Sequence, residues 1–295
     1  MVFIYSEGKF NDNSYLIDGL LFRIEKLYSM YVIENNGMRM LIDTASDNAT
    51  NIIVKKLKEL NLFPINKILL THSHMDHIQG VNLLKNLMKE TDIEVLASEK
   101  AIPNLHNPDR INSAFEHTVD PVEDVTSLKE GDIIDLNGLN LEVLNFFGHT
   151  MDSIAIFDSK NKNIFVGDAI IDRVNYETFQ PTFMPTDFNE AEILKTFQKL
   201  RDMREKINSI SLAHYGVWMD EDCDRILDEM EDLHFKTKDS IIKWYEENPS
   251  VEYIASKYYD KFIPNSRNYR RDNLKGLQMQ LKWLIYGLKA SGFIS

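Results

Sequence analysis

Short apolar or β-branched runs alternate with turn signals over the first two thirds of the chain. Residues 14–17, 30–34 and 38–43 read as strands separated by Asp-Gly and Asn-Gly turns. Residues 51–60 place Ile52, Ile53, Leu57 and Leu60 at helical spacing. The run 65–70 predicts a buried strand leading straight into His72, followed by a helix over 78–88 and a strand over 93–97. Residues 103–131 read as a long loop broken by Pro103, Pro108 and Pro121, a candidate pocket wall. Strands resume over 133–136, 141–145, 154–157 and 163–166. A helix is expected from Asp187, with Glu190 completing a capping box and Ile193, Leu194, Phe197 and Leu200 forming its apolar face. A last strand covers 207–213 and ends at His214.

Beyond this the pattern becomes helical. One stripe runs through Cys223, Ile226, Leu227, Met230, His234 and Ile241, and another through Leu274, Leu277, Leu281, Leu284 and Leu288, with a helix restarting at Pro249-Ser250 between them. The expected organisation is a catalytic domain over 1–219 and a helical domain or lid over 220–295.

Composition narrows the class. With 43% hydrophobic and 27% charged residues among 295, the chain reads as globular, and no apolar run reaches the ~20 residues of a membrane span. A single cysteine, Cys223, excludes an internal disulfide and, with an N-terminus lacking signal-peptide features, predicts a cytoplasmic protein. The net charge of −13 disfavours nucleic acid as a partner.

The eight histidines matter for where they fall. In Thr71-His72-Ser73-His74-Met75-Asp76-His77, alternate positions of an extended segment bring His72 and His74 to one face. Asp76 and His77 sit where a helix begins, a place that favours a carboxylate. Imidazole and carboxylate donors suit zinc, iron or manganese. His106 and His117 lie in the proline-punctuated loop and His234 on an apolar stripe, so none of the three is assigned to the metal site.

The sequence resembles the metallo-β-lactamase-fold hydrolase superfamily, which includes glyoxalase II-type thioesterases, lactonases and nucleases. After the histidine motif come Gly148-His149-Thr150, Gly167-Asp168 and Ala213-His214-Tyr215-Gly216, preceded by Leu41-Ile42-Asp43-Thr44, so that the likeness spans residues 12–216. It implies a four-layer αββα sandwich of the α/β class with a C-terminal helical appendage. It further implies that His72, His74 and His149 hold one divalent ion, that Asp76, His77 and His214 hold a second, and that Asp168 bridges them, with Zn2+ first and iron or manganese as alternatives. Asp43 is implied as a buried partner of a ligand or of the metal loop.

The chemistry that follows is hydrolysis of a small thioester, ester or lactone by hydroxide bridging two metals, with Asp76 orienting it and moving its proton. Phosphodiester or RNA cleavage is the alternative on the same site; a mononuclear-iron persulfide dioxygenase and an inactive binding module rank lower. Tyr176, Phe183 and Tyr215, near the metal motifs, are candidate substrate contacts. Arg267, Arg270 and Arg271 form the densest basic cluster and are the candidate handle for an anionic or acyl small molecule. A homodimer is compatible with this reading. One departure is that Met151-Asp152-Ser153 stands where many relatives continue Gly-His-Thr with Pro-Gly.

Overall fold

The computed structural model describes residues 2–295. The chain opens with β1 (Val2–Ile4), β2 (Gly8–Lys9), β3 (Ser14–Asp18), β4 (Ser29–Asn35) and β5 (Met38–Ile42). Asn36 and Gly37, both at positive φ, make the tight turn between β4 and β5 that Asn-Gly announces. Next come α1 (Thr50–Glu59), β6 (Lys67–Leu70), α2 (Met75–Ile78), α3 (Val81–Leu87) and β7 (Glu94–Ser98). The single helix expected over 78–88 is therefore displaced and divided. The break falls at Gly80, where an added Cβ would lie 2.7 Å from the Thr44 carbonyl oxygen.

The long loop expected over 103–131 is instead α4 (Ile102–His106), α5 (Asp109–Phe115) and β8 (Val125–Leu128). Pro103 sits in the first turn of α4 and Pro108 caps α5, positions where a missing backbone N–H breaks nothing. Then follow β9 (Ile133–Leu136), β10 (Leu139–Asn145), β11 (Ile154–Asp158), β12 (Asn163–Phe165), and the hairpin of β13 (Asp172–Asn175) and β14 (Thr178–Gln180). In α6 (Glu190–Asp202) the N-cap is Asn189, whose side chain accepts from the Glu192 amide at 3.2 Å, and not the expected Asp187. The last strands are β15 (Ser209–Ser211) and β16 (Val217–Met219), followed by α7 (Glu221–Glu247), α8 (Val251–Phe262) and α9 (Lys275–Ala290).

Two seven-stranded sheets result, in the orders β2-β3-β4-β5-β6-β7-β8 and β1-β16-β15-β12-β11-β10-β9. Strands β5 to β8 are parallel, and burial on both faces explains why β6 and β7 read as continuous apolar runs. Ile42 and Leu69 point between the sheets, towards Leu141, Val143 and Ile156. Their neighbours Leu41, Ile68 and Leu70 face the other way, onto Ile53 and Leu57 of α1 and Leu84 of α3. The outer face of the second sheet carries Leu144, Ile164 and Ile210 beneath Phe197 of α6 and Leu227, Met230, Leu277 and Leu281 of the tail. The architecture is an αββα sandwich, and the C-terminal helices share one continuous apolar core with its second sheet.

Candidate metal centre

Five chain segments reach one end of the sandwich just beyond their strands. Thr71-His72 follows β6, His149 follows β10, Asp168 follows β12 and His214 follows β15, while Asp43 follows β5. His74 is the N-cap of α2, so Asp76 and His77 lie in its first turn.

The structure brings all seven sequence-predicted donors together. They form three overlapping groups, each with donor atoms within 4.8 Å of one another: His72, His74 and His149; His72, His77 and Asp168; Asp76, His77 and His214. Asp168 lies between them, its Oδ2 3.4 Å from the Nε2 atoms of both His77 and His214 and 3.7 Å from that of His149. Asp76 Oδ2 is 3.4 Å from His214 Nε2. The Nε2 atoms of His72, His74 and His77 and the Oδ1 of Asp168 are buried without any hydrogen-bond partner. Four unpartnered donors in one buried cluster are costly unless a cation completes them, so the residues fit a divalent metal site.

The far side of three of the rings is already engaged. His77 Nδ1 lies 2.9 Å from Asp43 Oδ2, while the Asp43 carboxylate also accepts from the Thr71 amide and hydroxyl, both at 2.8 Å. Asp43 is thus buried against the metal loop. His149 Nδ1 donates to the Thr182 carbonyl at 2.7 Å and His214 Nδ1 to that of Leu27 at 2.9 Å. These bonds set the tautomer that turns Nε2 inward.

Electrostatics divide the rings in two. Burial pulls the His72 pKa well below its ordinary value, helped by the His77 charge. Burial likewise lowers His74 and His149 to about 4. Burial acts the same way on His77 and His214, but the surrounding carboxylates, Asp168 foremost, together outweigh it and raise both well above the usual histidine range. Burial alone would raise Asp76, yet the neighbouring His77 and His214 hold it at about 2, so it is ionised at neutral pH.

Glycine is required at two of the junctions. Gly148 has φ 128°, and an added Cβ would come within 2.3 Å of the Ile193 backbone in α6. Gly167 has φ 55°, and its Cβ would press on the Thr71 hydroxyl at 2.7 Å. Asp152 ties two metal loops together: it accepts from Ser73 Oγ and Thr150 Oγ1, both at 2.5 Å, and from Asn104 Nδ2 at 3.4 Å. A carboxylate therefore does here what a Pro-Gly turn cannot.

A cavity of about 370 Å3 opens above His74, Asp76, His149, Asp168 and His214. Its walls are apolar side chains from the 20–27 strap, Phe115 of α5, Met184, and Met279 and Trp283 of α9. Asp18 pins the strap, accepting from the Leu20 amide at 3.1 Å and the Lys26 amide at 2.9 Å. Leu20, Phe22, Arg23 and Lys26 all have φ between 51° and 62°, a strained run that such pinning holds in place.

Most of the sequence-predicted substrate contacts lie elsewhere. Phe183 is fully buried against Phe188 and His234, so it is core. Tyr215 is buried between the sheets with its hydroxyl on the Tyr5 carbonyl at 3.2 Å. Tyr176 packs on Phe3 and Trp218 and donates to Asp222 at 2.7 Å. Arg270 is paired with Asp272 at 2.9 Å and Arg271 with Asp260 at 2.8 Å, and neither lines the cavity. Arg267 alone reaches the rim, 81% exposed and 3.6 Å from Glu177. The three other histidines also lie outside the site, His234 being buried with its Nε2 3.0 Å from Glu190.

Sequence reasoning missed Tyr28, whose buried hydroxyl is 3.0 Å from His77 Nδ1, and Asp172, a cavity-lining carboxyl raised well above its usual range by burial and by Asp168. Neither carries a local motif. Only their places at the ends of β3–β4 and β13 bring them to the site.

Comparison with known proteins agrees with this geometry. The chain is 28% identical over 213 residues to a probable metallo-hydrolase of Streptococcus pyogenes serotype M6, covering 68% of this chain and 87% of that one. It is 31% identical over 159 residues to a hydroxyacylglutathione hydrolase of Bdellovibrio bacteriovorus, covering 52% of this chain and 55% of that one. A metallo-beta-lactamase family protein from Thermus thermophilus superposes with a TM-score of 0.66 at 17% identity, over 95% of this chain and 94% of that one. At that identity the likeness speaks for the fold alone, and its extent takes in the helical tail. Residues 25–214 match the sequence profile of the Metallo-beta-lactamase superfamily, and the chain belongs to that superfamily.

Proposed function

We propose that this metallo-hydrolase cleaves a small thioester, ester or lactone using two divalent ions, zinc first among them, and that it works in the cytoplasm. The observation that carries the reading is the convergence of seven donors, four of whose atoms are buried and unpartnered, with five of the seven residues lining one cavity. His72, His74 and His149 would hold one ion and Asp76, His77 and His214 the other, with Asp168 shared. Such a pair supplies an activated water and polarises the carbonyl oxygen of the substrate.

The chain's own residues then orient and exclude. Asp76, ionised at neutral pH, faces the cavity, where it aligns the attacking water through a carboxylate oxygen and passes the proton on to the leaving group. Asp43, Thr182 and Leu27 hold the rings of His77, His149 and His214 in one orientation. The apolar strap and α9 keep bulk water from the floor. Support for acyl transfer comes from the likeness to hydroxyacylglutathione hydrolases, and the scarcity of cations around the cavity disfavours a polyphosphate backbone.

The test is a parallel screen of the zinc-loaded protein on S-lactoylglutathione, an acyl-homoserine lactone, bis-p-nitrophenyl phosphate and a short RNA. Turnover of at least one of the first two is expected, reduced by about 100-fold or more in Asp76→Ala. Activity on the last two alone would overturn the proposal.

A further inference from the structure

Resting on the acyl-hydrolase reading above, we infer that the cavity selects an uncharged acyl compound: its apolar part lies between the 20–27 strap and α9, and its polar oxygen is held by Gln180 and Thr182. This makes the substrate neutral, where the arginine cluster in the sequence pointed to an anion.

Charge is the first argument. Apart from the metal donors, the charged residues lining the cavity are Glu25, Asp172 and Arg267. Arg267 sits at the rim, largely exposed and facing Glu177, while Arg270 and Arg271 are matched by their own acidic neighbours away from the opening. A carrier bearing two carboxylates, such as glutathione, finds no buried cation along the wall to receive them and would pass the exposed Glu25 carboxylate on entry.

Shape is the second. Leu21, Phe22 and Leu27 form one wall, and Trp283 faces them from α9, braced edge-on by Phe115 with ring centroids 5.4 Å apart. The exposed apolar side chains Ile24 and Met279 extend this surface outward to the mouth. A mostly apolar cavity of about 370 Å3 lies within the range of small-molecule sites and suits an aliphatic or aromatic acyl group.

Unspent hydrogen-bonding capacity is the third. Gln180 and Thr182 both line the cavity, both are more than nine-tenths buried, and Gln180 Nε2 and Thr182 Oγ1 have no partner in the protein. They are neutral groups beside the floor, since the backbone carbonyl of Thr182 already holds His149. A buried amide and hydroxyl left free by the fold are suited to a carbonyl or hydroxyl oxygen of the ligand.

The experiment compares neutral thioesters from acetyl to octanoyl with S-acylglutathiones carrying the same acyl groups, on the zinc-loaded protein. We expect kcat/KM to rise by at least about tenfold from acetyl to octanoyl, with no gain from the glutathione carrier. A flat series, or a tenfold preference for the glutathione carrier, would overturn the inference. Trp283→Ala should raise KM for the octanoyl compound by about tenfold while leaving that for acetyl unchanged. Gln180→Leu and Thr182→Val exchange unpartnered polar groups for apolar ones of similar shape, so they should fold at least as stably and still raise KM by about tenfold. Unchanged KM in both would remove them from recognition and overturn that half of the assignment.

A binding measurement separates this inference from the hydrolase reading. By calorimetric titration, N-methyloctanamide should bind the wild type, bind Trp283→Ala about tenfold more weakly, and bind the wild type more tightly than S-octylglutathione does. That pattern without turnover of any acyl compound supports the cavity assignment and sinks the hydrolase reading. Turnover with tighter binding of S-octylglutathione sinks the cavity assignment alone.

Discussion

The floor of the cavity is held by hydrogen bonds that give His77, His149 and His214 one orientation each, whereas its walls are held by apolar packing and a pinned strap. On the floor, Asp43, Asp152 and the carbonyls of Leu27 and Thr182 each have a specific atom to hold. On the walls, Phe22, Phe115, Met184 and Trp283 come from four separate parts of the chain and share only their chemistry. Chemistry at a metal needs angles fixed to within about 10–20°, while an acyl group needs area and dryness. Floor variants should therefore change metal loading and stability together, and wall variants should change substrate affinity with the metals still in place.

The sharpest way to break the floor is Gly148→Ala. A methyl group within 2.3 Å of the Ile193 backbone, at φ 128°, forces the His149 loop off α6. The expected cost is more than about 3 kcal/mol, seen as a lower thermal midpoint together with loss of metal. A variant that melts and loads like the wild type would show that the loop has room the structure does not give it. Asp152→Ala should cost about 1–3 kcal/mol, because it removes the buried carboxylate that accepts from both Ser73 and Thr150 and frees the two histidine loops from each other. Denaturant unfolding reads the stability, and a chelator competition should show weakened metal binding alongside it; stability lost with affinity intact would make Asp152 a core residue only.

Asp18→Ala addresses the wall. Removing the carboxylate frees the strap at Leu20 and Lys26 without touching a metal donor. KM should rise a few fold with metal content unchanged, equivalent to about 1 kcal/mol or less of binding. Loss of metal in this variant would mean that the strap, through the Leu27 carbonyl on His214, belongs to the floor.

This contrast also explains what could be read in advance. The floor was legible in the motif His72 to His77, whose spacing carries its geometry, and in the strand-end residues His149, Asp168 and His214, which the family resemblance supplied. The parallel strands β6 and β7 of the first sheet were equally legible, since burial on both faces gives them unbroken apolar runs, whereas β8, largely exposed, was hidden in the expected loop. The walls were not. Trp283 and Phe115 look like any helical apolar residue until tertiary packing brings α9 beside α5, and Phe183, which the motif proximity suggested as a contact, turns inward instead. The arginine cluster misled for a related reason: Asp260 is distant in sequence from Arg271 and becomes its partner only when α8 packs beside the loop before α9. The helical tail was visible as a unit, but nothing local showed that it shares a core with the second sheet. Asp152 stood out as a departure from related sequences, yet its role emerged only with Ser73 and Asn104 beside it.

Everything above depends on the floor holding two ions. The direct measurement is elemental analysis of the protein purified without added metal and again after dialysis against zinc, with Asp168→Ala carried in parallel. About two equivalents per chain are expected for the wild type, and a clear loss for a variant lacking the shared carboxylate. One equivalent or none in the wild type after zinc dialysis would contradict the dinuclear centre.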